Sequence, residues 1–224
     1  MTHIITLPGD WNHPGLLFRL LEVVETPWTI TETGRFADLE TGRTTGIAWG
    51  PRIDGFREAF ENGVDLTRQP LSDAFLDAVD QHRAVVQVHG DRTPDDPVDG
   101  LLFALRAANA LLDGGALGLH LASSGLVYEA DAFQASMKLV EAEDDPTDRV
   151  FDLVVRYQVG AVSTTIGMDA FDLPDIVLAD AEGADRAVGR MEATARRLLR
   201  GESIPTVVDS RGGGRPNPAG IVIL

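Results

Sequence analysis

Apolar and polar positions along this chain follow a strand period in some stretches and a helical period in others. "HIITL" at 3–7 reads as a short strand, and beyond it Leu16, Leu17, Leu20, Leu21 and Val24 recur on one helix face, with Pro14 suited to a first turn. "PWTITE" and "GIAWGP" are further strand candidates, and the Thr- and Gly-containing passage 35–45 between them reads as loop. Asp54 is placed to start a short helix carrying Phe56 and Phe60. Ser72 starts another, with Leu71 and Leu76 set as a hydrophobic staple. Both are expected as connectors on the surface of a sheet.

The middle of the chain is more regular. "RAVVQVHG" has the pattern of a buried strand, and "DDPVDGLLFALRAANALLDGG" places a cap at Asp96, a proline at the first position, an apolar stripe of Val98, Leu101, Leu102, Leu105 and Leu112, and glycines at its end. "ALGLHLAS" follows as a strand, so 84–122 predicts a parallel strand–helix–strand unit. A helix with Phe133, Met137 and Val140 comes next, then a solvated acidic loop, "EAEDDPTD". "VFDLVVRYQVG" and "AVSTTIG" read as a hairpin joined near Gly160. A last helix over 184–200 puts Val188, Met191, Ala195 and Leu198 on one face and Arg186, Arg190, Arg197 and Arg200 on the polar side, with Gly201 as its stop. "PTVVDS" and "GIVIL" suggest a final strand pair. With no internal repeat or linker, the expected fold is one α+β domain over 1–224, a mixed β-sheet with helices mainly on one face.

Composition narrows the function classes. The 224 residues are 44% hydrophobic, enough for a real core. No apolar run approaches the roughly 20 residues of a membrane span, and the opening "MTHIITLPGDWNHPG" lacks the basic start and apolar centre of a signal peptide, so a cytoplasmic protein without membrane contact is expected. The absence of cysteine excludes disulfides, thiolate metal sites and cysteine nucleophiles. A net charge of −16 repels a nucleic acid backbone and attracts a basic protein. No dinucleotide fingerprint, nucleophile elbow or zinc-binding His-Glu-x-x-His occurs, so neither a cofactor nor a metal is expected.

One stretch is distinctive. "TIGMDAFDLPD" at 165–175 follows a histidine just ahead of an apolar strand ("QHRAVVQV") and a long helix leading to "GALGLHL". This combination resembles the uncharacterised bacterial family named domain of unknown function 4261, whose late motif has a glutamate where Asp169 and Asp175 stand and a glycine where Asp172 stands. Gly167, Met168, Ala170, Phe171, Leu173 and Pro174 match it. The resemblance implies no activity, substrate or catalytic residue. If the usual glycine has a positive φ, aspartate is among the few residues that tolerate the position.

Two sites are candidates. Asp169, Asp172 and Asp175 around the motif turn could bind a cation or exchange protons, but their spacing does not fit a calcium loop. The favoured reading is a turn that anchors Met168, Phe171 and Leu173 while carboxylates cap backbone amides. The second candidate is a polar sheet face. Gln87 and His89 share one side of their strand, His120 projects from the next, and Asp152 and Arg156 line one side of a third. His82, at a helix end, is read as structural. In "DSRGGGRPNPAG", Arg211 and Arg215 flank three glycines but lack the ending of a phosphate loop. These features favour a non-enzymatic interaction module for a basic protein, with toxin neutralisation one form of it. The alternatives are a hydrolase or transferase that pairs His89 or His120 with Asp152, and a subunit of a homo-oligomer.

Overall fold

The structure is a computed structural model that describes residues 3–24, 26–31, 34–64, 70–90, 96–179, 183–202 and 221–223. In chain order its elements are β1 (His3–Gly9), α1 (Pro14–Val23), β2 (Trp28–Ile30), β3 (Arg35–Asp38), β4 (Thr44–Pro51), α2 (Phe56–Val64), α3 (Asp73–Asp80), β5 (Ala84–Gly90), α4 (Pro97–Asp113), β6 (Gly118–Leu121) and β7 (Leu126–Glu129). Then come α5 (Ala130–Glu141), α6 (Thr147–Val154), β8 (Arg156–Gln158), β9 (Val162–Ile166), a 3₁₀ turn (Met168–Phe171), β10 (Ile176–Ala179), α7 (Ala184–Leu199) and β11 (Ile221–Ile223). The arrangement is α+β. Where one domain was expected, contacts divide the chain into two compact units, Met1–Val150 and Phe151–Leu224. "PTVVDS" and the loop with Arg211 and Arg215 lie outside the described residues. No helix among those described is long and apolar enough to cross a membrane.

The first unit is built on a seven-stranded sheet ordered β2-β3-β4-β5-β1-β6-β7, with every neighbouring pair antiparallel. This corrects the mixed sheet and the parallel strand–helix–strand unit. β5 and β6 do not pair, because β1 lies between them and runs antiparallel to both. Arg35–Asp38, read as loop, is a strand paired with β2 and β4, and Leu126–Glu129 adds an edge strand the sequence pattern did not reveal.

Both faces of this sheet carry helices. Val86, Val88 and Gly90 face α4, and a Cβ on Gly90 would come 2.8 Å from that of Ala104, so glycine is what lets the helix approach. α4 starts as predicted, with the Asp96 carboxylate accepting the Asp99 amide at 2.9 Å, and it buries eleven of its residues. At its far end Gly114 O accepts the buried Trp11 indole N–H at 2.9 Å, tying the segment after β1 to the helix. On the opposite face, Phe56 and Phe60 of α2 and Phe75, Leu76 and Val79 of α3 pack with Val85 and Val127. These two helices are therefore part of the core and not surface connectors. Ser72 caps α3 through Phe75 N at 3.2 Å.

The second unit has a four-stranded antiparallel sheet, β11-β10-β9-β8, against which α7 packs. Phe151, Phe171, Met168, Ile176, Leu178, Met191 and Ala195 are buried. The hairpin around Gly160 forms as β8 and β9. "VFDLV", expected as part of its first strand, instead belongs to helix α6.

Candidate functional site

The polar sheet face forms in part. Thr6 pairs with Gln87 on one side and His120 on the other, so these three side chains stand in one row across β5, β1 and β6. His89 lies one row along, opposite Ile4 and Gly46. Two strand spacings and a two-residue offset put the Cα atoms of His89 and His120 about 12 Å apart. His120 is set against Phe56 and Phe60, with ring centroids 6.4 and 6.5 Å away, and burial lowers its pKa. His89 Nε2 is shut off from solvent and has no hydrogen-bond partner. No described carboxylate bonds to either imidazole.

Asp152 and Arg156 are not on this sheet. Asp152 sits in α6 and accepts from Arg196 Nη2 at 3.2 Å, while Arg196 also holds Glu192 at 2.8 Å. The mostly apolar stretch "VFDLVV", broken only by Asp152, reads as a strand, but Asp145 and Pro146 precede a helix. The Asp145 carboxylate accepts the Thr147 amide at 3.1 Å, and Val150 N bonds to Pro146 O. An Asp-Pro pair also opens α4, where the proline is the first helical residue; here it lies just ahead of the helix. Arg156 is in β8 of the smaller sheet, near Asp175.

The motif turn is a brace. Asp175 Oδ1 accepts the Thr165 hydroxyl at 3.1 Å and the Met168 amide at 3.2 Å, and Thr165 Oγ1 in turn accepts the Ile176 amide at 2.8 Å. Burial pushes the Asp175 carboxyl up, against the opposing pull of those two donors and of Arg156. Gly167 has φ 109°, and Asp172 is left-handed at φ 58° and ψ 24°. Met168 and Phe171 are buried, Pro174 is half-buried, and Asp169 and Asp172 are exposed. No group of His, Asp or Glu among the described residues has the geometry of a metal site. His82 is likewise structural: its Nδ1–H donates to Val79 O at 2.6 Å and its Nε2 accepts from Ile53 N at 3.1 Å.

A further candidate site lies in the first unit, away from the residues singled out in the sequence. A cleft of about 930 Å³ opens between the segment entering β2, the β3–β4 turn, α4 and α5. Pro27 is exposed at its rim, and the buried Trp28, Ala110 and Met137 underlie its wall. Trp28 is held by stacking on Phe36 at 4.9 Å and by Phe103 at 5.2 Å. Four carboxylates line the cleft, Asp38, Glu40, Asp113 and Glu141, against two cations, Arg106 and Lys138. Arg106 is paired through one edge of its guanidinium: Nε and Nη2 reach the two Glu141 oxygens at 2.7 and 2.8 Å, and this pairing raises its pKa. Asp38 closes its turn through Thr41 Oγ1 at 2.7 Å and Glu40 N at 3.0 Å.

Asp113 is different. Oδ1 accepts from Gln134 Nε2 at 2.7 Å, but no described cation pairs with it directly. Burial pushes its carboxyl up, offset in part by Gln134 and by the field of Lys138. One turn earlier, Asn109 Oδ1 is buried and has no donor. A signal for this site exists in the sequence. Arg106, Asn109 and Asp113 form an i, i+3, i+7 polar stripe on an otherwise buried helix, and Gln134, Lys138 and Glu141 form another on the next helix. That the two stripes meet is a property of the packing. Comparison with protein-family models, curated proteins and solved structures finds no match to this chain.

Proposed function

We propose that this chain is a non-enzymatic interaction module and that its cleft between α4, α5 and the β3–β4 turn receives a basic segment of a protein partner. The observation that carries this reading is the cleft itself: about 930 Å³, with four carboxylates against two cations, in a chain of net charge −16. The volume is at the upper end of the range for ligand pockets. The overall field concentrates positive partners near the surface, and the cleft supplies shape and fixed acceptors. Neutralising a basic toxin is one biological form of such binding. The enzyme reading loses support, because its histidine–aspartate pair would join residues that share no sheet, and Asp152 is already bonded to Arg196.

The test must separate the cleft from the diffuse field. Binding of a fluorescent peptide of alternating arginine and glycine is measured by anisotropy for the wild type, for Glu40→Gln with Asp113→Asn in the cleft, and for Glu22→Gln with Asp144→Asn outside it. Each double variant removes two charges. The cleft variant should bind about tenfold more weakly and the outer one within about twofold of wild type. Equal weakening by both would mean that the peptide feels only the net charge, and the cleft would not be the seat.

A further inference from the structure

We infer that the row of Gln87, Thr6 and His120 across β5, β1 and β6 is a second binding site, separate from the cleft: a notch that takes the flat edge of an uncharged cyclic amide. Thr6 is the Cα partner of Gln87 on one side and of His120 on the other, so its short side chain stands between two longer ones. Adjacent strands lie about 4.8 Å apart, which sets the two flanking Cα atoms about 10 Å from each other. Thr6 is only 6% exposed, and Gln87 and His120 are half-buried. Among the described residues, none of these three side chains makes a hydrogen bond. Polar groups so far withdrawn from water are normally paired. Three in register, with none paired by the chain, leave a row of donors and acceptors open to a ligand.

The chemistry of the row selects that ligand. A hydroxyl, a carboxamide and a neutral imidazole each donate and accept, so the matching edge must do both. Burial keeps His120 uncharged at neutral pH. Two charged side chains that share this face are engaged elsewhere: Arg35 Nε donates to Thr44 Oγ1 at 2.8 Å, and Glu129 Oε1 accepts the Ser72 amide at 2.5 Å. The row itself therefore offers no carboxylate to a cation and no cation to an anion. A cyclic amide or imide holds donor and acceptor atoms in one plane at fixed spacing, so it fills a slot one side chain wide without losing internal rotations. Ala48 beside Gln87, and Ile4 and Ala122 in the next row, are exposed, which leaves the slot open on that side. The net charge of −16 favours a free small molecule over the same edge carried on a nucleic acid strand.

Uracil is the probe, titrated by ligand-observed NMR beside 1,3-dimethyluracil, which keeps the ring and loses both N–H donors, and orotate, which adds a carboxylate. Wild type should bind uracil with a Kd of about 1 mM and the other two at least about tenfold more weakly. Thr6→Val and Gln87→Leu should each weaken uracil about fivefold or more. Both should melt at or above the wild-type temperature, because each removes a polar group that the chain leaves unpaired. Gln87→Leu keeps the test decisive if Thr6→Val does not fold. No saturation by uracil, equal binding of 1,3-dimethyluracil, or full uracil affinity in the variants overturns the site. A lower melting temperature in both variants would mean that the chain itself uses these groups, and would overturn it too. Tighter binding of an oligouridylate than of uracil overturns the small-molecule source. The cleft takes part in none of these measurements, so the two sites stand or fall separately.

Discussion

His120 shows how one side chain's surroundings set its charge. On a solvent-facing sheet surface it would titrate like any histidine. Under Phe56 and Phe60 it is desolvated, and its pKa falls below the ordinary 6.5. The sign follows from linkage: the unfolded chain takes up a proton near pH 6.5 while the folded one resists it. His120 therefore contributes stability above that pH that is lost as the pH falls toward its folded pKa. Thermal melts between pH 7.5 and 5 should show a steeper acid-side decline for wild type than for His120→Gln, by on the order of 1 kcal/mol at the acid end. Parallel curves would mean that the imidazole is not desolvated. Asp172 is the complementary case, legible from sequence alone. Its φ of 58° is a left-handed conformation that aspartate tolerates, so the turn forms there without a glycine.

Elements depend on start signals more than on apolar content. α3 and α4 begin where Ser72 and Asp96 predict, each side chain accepting an amide of the first turn. α6 is preceded by a related turn, in which Asp145 accepts the amide of Thr147, its first residue, yet its mostly apolar and β-branched residues read as strand, and the consequence is large because it moves Asp152 off the sheet face. β3 and β7 are only four residues each, too short for alternation to stand out, and they exist because neighbouring strands supply their hydrogen bonds. The brace at the motif turn joins two such elements. Asp175, just before β10, holds Thr165 of β9 and the first amide of the 3₁₀ turn. Asp175→Ala should cost about 1–3 kcal/mol in chemical denaturation, since the Met168 amide loses its acceptor, and Asp175→Asn should cost less because it retains an oxygen and removes a desolvated charge. An alanine variant as stable as wild type would show that the brace is dispensable.

Across the whole molecule, charge acts against the compact state. At −16 the chain repels itself, and its exposed ion pairs, such as Arg149 with Glu143 and Arg197 with Glu202, are of a kind that contributes little. Raising sodium chloride from about 0.02 to 0.2 M at neutral pH should therefore raise Tm, as the screening length shortens to below about 10 Å. A fall would mean that ion pairs outweigh the repulsion. Periodicity along the chain was enough to identify β1, α1, α4, α5, the β8–β9 hairpin, α7 and the turn between Gly167 and Asp175, because a helix face, a cap or a left-handed position is written in residues within a few places of one another. Strand order was not legible, because β1, the first strand in the chain, enters between β5 and β6, and nothing near either strand announces a partner some eighty or more residues away. The division of the candidate sheet face between two sheets and the meeting of two helix stripes around the cleft have the same cause. Contacts between distant segments are chosen by the burial they achieve together, and that quantity belongs to the packed chain and to no window of its sequence.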